Sequence, residues 1–104
     1  MSDGVAVIAE VRARAGEREA LLTAIGQVLE SVGGEQGCEQ YVVHTDDGDP
    51  DVVWFYERYR DPAARAEHGA SDAIVELRRA LGDLVAAAPR IVAMHPVMDK
   101  QTGR

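Results

Sequence analysis

A chain of 104 residues with formal net charge −7, 46% hydrophobic and 28% charged residues has the make-up of one globular domain, with no length for separate catalytic and binding units. Its acidity disfavours nucleic acid and anionic membranes as partners, because counterion-release binding needs a basic surface, and no apolar run approaches the roughly 20 residues that cross a bilayer. The one cysteine, Cys38, has no partner for an internal disulfide, and Met1-Ser2-Asp3-Gly4 lacks the basic and apolar regions of a secretory signal, so the cytoplasm is the expected compartment.

A single domain over residues 1–104 is expected, with an ordered core from about 4 to 98. Val5, Val7, Ala9, Val11 and Ala13 alternate with Ala6, Ile8, Glu10, Arg12 and Arg14, which predicts a strand over 5–13 with one apolar face. Beyond Gly16, the residues Leu21, Leu22, Ile25, Val28, Leu29 and Val32 recur at helical spacing until Gly33-Gly34. That pattern is an amphipathic helix of about four turns. Residues 38–45, with Tyr41, Val42 and Val43, read as a second strand, and the turn Asp46-Asp47-Gly48-Asp49-Pro50 joins it in a hairpin to a third over 52–59.

On that third strand Val53, Phe55, Glu57 and Tyr59 share one face and Val52, Trp54, Tyr56 and Arg58 the other. A sheet covered by helices on one side only has a polar outer face, so large apolar groups on both faces predict a second packing surface, the sheet of another subunit. The face carrying Glu57 is placed toward the helices and a pocket, and Trp54 and Tyr56 toward the homodimer interface, with the opposite assignment as the alternative. Asp61-Pro62 then provides an N-cap and a first-turn proline for a short helix reaching about Ala66. Ser71 caps another, with Ile74, Leu77, Leu81, Leu84 and Val85 on one stripe as far as Pro89. The last strand is expected over 91–98, with Pro96 near its end, followed by a frayed tail over 100–104. The order strand, helix, strand, strand, helix, strand predicts an α+β, ferredoxin-like βαββαβ domain with an antiparallel four-stranded sheet.

The acidic turn does not make a calcium loop: counting from Asp46 puts Glu57 twelfth, but Gly48, Pro50 and Asp51 stand where that loop needs two ligands and a glycine. His44, His68 and His95 are scattered without metal-ligand spacing, and no glycine-rich dinucleotide or phosphate loop is present. Neither a metal nor a flavin or nicotinamide cofactor is expected.

Four features in register resemble the antibiotic biosynthesis monooxygenase family. They are the opening strand running into Ala15-Gly16; Glu35-Gln36-Gly37-Cys38-Glu39-Gln40-Tyr41, similar to the family's E-P-G-C-x-x-Y turn with Gln36 in place of proline; Tyr56-Glu57-Arg58-Tyr59-Arg60-Asp61 with Ala64 and then His68 and Ser71, similar to its H-x-x-S pattern; and the closing Pro96-Val97. The resemblance implies a dimeric α+β barrel, with two sheets face to face and a ligand cavity in each subunit between sheet and helices. It also implies that His68 stands at the family's histidine position. The second histidine that often follows is here Ala73, and the chain contains no Asn, on which the haem-degrading branch typically relies; haem degradation is therefore disfavoured.

Within that frame His68, Tyr59 and Glu57 are the candidate catalytic residues, and Phe55, Val53, Ile74 and Leu77 the candidate substrate-binding wall. Imidazole has the unperturbed pKa, about 6.5, suited to removing a proton near neutrality. The expected function is cofactor-independent monooxygenation, with O2, of an electron-rich aromatic such as a quinol, anthrone or polyketide-like phenol. Its rivals are a cofactor-free isomerase or lyase using the same base, and a non-enzymatic dimer that binds a small aromatic metabolite.

Overall fold

The computed structural model describes residues 4–100. Its elements are β1 (Val5–Arg12), α1 (Arg18–Gly33), β2 (Cys38–Thr45), β3 (Val52–Tyr59), α2 (Pro62–Ala70), α3 (Asp72–Leu81) and β4 (Arg90–Met94). All strand pairs are antiparallel and the four-stranded sheet has the order β2-β3-β1-β4, the ferredoxin-like α+β arrangement that the element order predicts. No helix is long and apolar enough to cross a membrane.

Local chemistry sets the boundaries. Between β1 and α1 the chain turns through Gly16 at φ 78°, a left-handed conformation that glycine adopts without steric cost. The second crossover holds two helices, and α2 runs a turn past the expected end near Ala66. Asp61 opens it by accepting a hydrogen bond from the Ala64 amide at 2.8 Å, and Ser71, in extended backbone, ends it while its hydroxyl accepts from the Ile74 amide to open α3. His68 therefore lies inside α2, not beyond it. Helix α3 stops at Leu81, well before Pro89, and Val85 instead pairs with Ala13 as an isolated bridge. β4 ends at Met94, short of the expected 98, because Pro96 has no N–H to donate to a ladder. Of the expected tail only Lys100 is described; residues 101–104, like 1–3, lie outside the described residues.

The core fills the space between the sheet's helix-facing side and α1 and α3. Leu21, Ile25 and Val32 of α1 and Ile74, Leu77 and Leu81 of α3 pack on Ala9, Val11, Val53 and Phe55. A smaller cluster joins Val7, Tyr59 and Ala64. Burying each large apolar side chain contributes about 1.5–3 kcal/mol, so the sheet's register is strongly specified: a one-residue slip would turn this set outward.

The other face of the sheet is bare. Register puts Val42, Tyr56, Ile8 and Val92 in one row across all four strands, with Met94 beside it and Val42, Val92 and Met94 exposed.

Candidate active site

Along α2 the helix-facing side of the sheet is not filled. A cavity of about 540 Å³ opens between β1, β3, α2 and α3. Its apolar walls are Val7, Ala9, Phe55, Ile74 and Leu77, and Tyr41, Glu57, Tyr59 and His68 also reach it. Alternation on β3 aims Phe55, Glu57 and Tyr59 the same way, and pairing sets Tyr41 of β2 beside Glu57.

His68 is the buried polar side chain of the core, 7% exposed. A lone imidazole there would be costly to desolvate, and Glu35 answers that need: its carboxylate lies 2.8 Å from His68 Nδ1. A carboxylate only accepts, so Nδ1 carries a proton, and in the neutral ring Nε2 keeps its lone pair. The ring is clamped between two tyrosines, with centroids 5.3 Å from Tyr41 and 5.2 Å from Tyr59, while Tyr41 meets Phe55 edge-on at 5.8 Å. Orientation and tautomer of the imidazole are thus both fixed.

Beneath it the Tyr59 hydroxyl donates to Glu57 Oε1 at 2.5 Å. Burial pushes the Glu57 carboxyl above the ordinary carboxylate range, outweighing the hydrogen bond from Tyr59 and the positive charge of Arg65. Burial likewise raises the Tyr59 phenol, reinforced by the carboxylate that accepts its proton, and raises Tyr41. Both phenols hold their protons, and a hydrophobic site with a carboxyl whose pKa burial raises, beside a histidine, is suited to acid–base work.

Glu35 comes from the turn Glu35-Gln36-Gly37, whose position depends on a close approach. A Cβ on Gly37 would sit 2.6 Å from Ala64 Cβ, and the Arg60 amide donates to the Gly37 carbonyl at 2.9 Å. This glycine lets the turn lie against α2, with Glu35 facing His68 one turn after Ala64. The turn also borders a second cleft, about 730 Å³, on the other flank of α2, where Glu35, Gly37, Cys38, Arg60, Glu67 and Asp72 are found. The Glu35–His68 pair thus separates the apolar cavity from a more polar cleft. Cys38 is half-buried there, its thiol pushed up to about 11 by burial and by the nearby carboxylates of Glu35, Glu57 and Glu39.

Of the residues singled out from sequence, His68, Tyr59, Glu57, Phe55, Ile74 and Leu77 all reach the one cavity. Val53 does not: it is wholly buried beneath α1 and α3 in the core. Glu35 and Tyr41 were not singled out as functional side chains, although both stand in the E-x-G-C-x-x-Y stretch. Among the described residues no group of three or more His, Cys, Asp or Glu side chains is arranged to hold a metal ion.

Comparison with known proteins bears on this geometry. Residues 4–80 match the model of the antibiotic biosynthesis monooxygenase family. The chain is 29% identical over 97 residues to the Mycobacterium tuberculosis protein Rv0793, whose name assigns it provisionally to the monooxygenases, covering 93% of this chain and 95% of that one. The solved structure of Rv0793 superposes with a TM-score of 0.86 at 26% identity, covering 93% and 98% of the two chains. PA3566 from Pseudomonas aeruginosa gives a TM-score of 0.85 at 26% identity over 94% and 98%. A Caulobacter crescentus protein titled as an antibiotic biosynthesis monooxygenase shares the fold, with a TM-score of 0.88 at 21% identity over 93% and 92%. Spanning most of its length, these matches and the sheet order agree that the chain belongs to the antibiotic biosynthesis monooxygenase family.

Proposed function

We propose that this chain is a cofactor-independent monooxygenase that oxidises an electron-rich aromatic, of the anthrone, quinol or polyketide-like phenol type, with O2. The carrying observation is the Glu35–His68 pair on the wall of an apolar cavity: a contact that, in the neutral ring, leaves the lone pair on Nε2, beside space sized for a small ring system.

For a substrate with an acidic ring methylene, His68 Nε2 takes one C–H proton, and Glu35 stabilises the imidazolium that forms. The delocalised carbanion gives one electron to O2, and the substrate radical and superoxide combine at that carbon as a peroxide. The imidazolium gives its proton to the peroxide, the second C–H proton leaves as the O–O bond breaks, and that proton joins the departing hydroxide as water, so CH2 and O2 become C=O and H2O. The substrate supplies every electron. Glu57, whose carboxyl burial raises above the ordinary range, is placed to relay the second proton to the departing oxygen. Tyr59, whose hydroxyl is already donated to Glu57, accepts from a substrate hydroxyl, while Phe55, Ile74 and Leu77 keep water from the anion.

The working unit in this reading is a homodimer. The apolar row Val42-Tyr56-Ile8-Val92 is covered by the same row of a second copy, as in a symmetric self-complementary interface.

Oxygen consumption with a panel of anthrones and quinols tests the proposal. Uptake above the uncatalysed rate that falls at least about a hundredfold in His68→Ala is expected, and conversion that proceeds equally well without oxygen would replace it with an isomerase or lyase.

A further inference from the structure

The cavity is apolar inside, yet its rim carries two guanidinium groups, from Arg65 on α2 and Arg78 on α3. Both line the same cavity. An Nη of Arg78 lies 3.7 Å from the point that a Cβ on Gly69 would occupy, and Gly69 follows Arg65 by one helical turn on the same flank of α2. The Arg78 side chain of α3 therefore reaches across to the flank of α2 that carries Arg65.

Like charges on one cavity repel unless something neutralises them. Arg79, the next residue, pairs with Glu76 at 3.2 Å, whereas among the described residues neither Arg65 nor Arg78 lies in an ion pair, although the charge of Arg65 is felt by Glu57 deeper in the cavity. Scarcity of acid is not the reason, for the chain has 18 acidic residues against 11 basic ones. On a molecule of net charge −7, a cationic rim around an apolar chamber is a local inversion that attracts anions.

We propose that Arg65 and Arg78 bind a carboxylate carried by the aromatic substrate, the ring entering the apolar chamber and the acid group staying at the rim between the two guanidiniums. Guanidinium forks match carboxylate geometry and form charge-assisted, often bidentate, hydrogen bonds. A carboxylate here would also fix which edge of the ring faces His68, deeper in the same cavity, so the pair decides both which substrates bind and how they lie. The inference rests on the oxygenase reading only in taking the ring to occupy this cavity.

Binding without turnover separates the two ideas. Wild type and an Arg65→Gln/Arg78→Gln variant are titrated calorimetrically, at low salt, with anthraquinone-2-carboxylate and with neutral 2-(hydroxymethyl)anthraquinone. Wild type is expected to bind the carboxylate roughly tenfold more tightly than the alcohol; the variant loses that preference, keeps its affinity for the alcohol, and retains the wild-type circular dichroism spectrum. Equal affinities in wild type, a preference that survives in the variant, or no binding of either compound overturns the inference. A preference that depends on both arginines stands even if no substrate consumes oxygen, and oxygen consumption by neutral substrates with no such preference leaves the oxygenase reading intact.

Discussion

The imidazole of His68 acquires its chemistry from a residue 33 positions away, since Glu35 decides which ring nitrogen holds the proton. That relation was only half legible in the sequence. His68 stood out by residue type and by its place in a family-like motif, and Glu57 and Tyr59 by sharing a strand face with apolar neighbours. Glu35 lies in a turn of polar residues and glycine, where periodicity carries no information, so its partner emerges only when the turn is docked on α2. Val53 was drawn into the expected wall because alternation reports a face and not a depth along it: Val53, near the strand's start, lies under α1 and α3, and the cavity is lined from Phe55 onward. Cys38, in the same turn region, offers a prediction at this scale. Burial holds its thiol near 11, and the thiolate is the reactive form, so its alkylation by iodoacetamide should be slow at neutral pH and still accelerating above pH 9. A rate that levels off near the ordinary thiol pKa, about 8.5, would contradict this environment.

At the scale of elements, strands and helices were legible wherever one physical signal dominated. The alternation of β1, the apolar stripe of α1 and the cap-and-proline start of α2 all placed their elements within a few residues. Ends were misread where tertiary pairing overrode a local pattern: Leu84 and Val85 continue the helical spacing of α3, yet Val85 leaves it to bridge Ala13. The contact between the Glu35 turn and α2 is the packing event on which the site depends, and it is testable through its tightest point. Gly37→Ala puts a methyl group 2.6 Å from Ala64 Cβ and should destabilise the fold by about 1–3 kcal/mol, the usual range for overpacking. Adding Ala64→Gly removes the obstruction. Thermal unfolding of the double variant should then show less loss than the sum of the two single losses; strict additivity would mean that Gly37 is not held against α2.

For the whole molecule, the two faces of one sheet have different work. The inner face supplies core and cavity, and the outer face exposes Val42, Val92 and Met94 around Tyr56 and Ile8. This apolar second face was legible from β3 alone, because Trp54 and Tyr56 alternate with Phe55 and Glu57. Covered by a second copy, it would extend the core of a chain too short to bury much surface by itself. Light scattering at micromolar concentration should give twice the chain mass of 11.2 kDa, and Val92→Glu, which places a charge on that face, should shift it toward the monomer. A wild-type monomer would remove the homodimer from the account.

The central claim is that His68, oriented by Glu35, starts the transfer of one atom of O2 to a ring carbon. The most direct test is to run the oxygen-consuming reaction under 18O2 with an anthrone that turns over, and to weigh the product. One 18O in the new carbonyl and one O2 consumed per product are expected, with loss of both in His68→Ala. A product whose oxygen comes from water, or equal incorporation with His68→Ala, would contradict the claim.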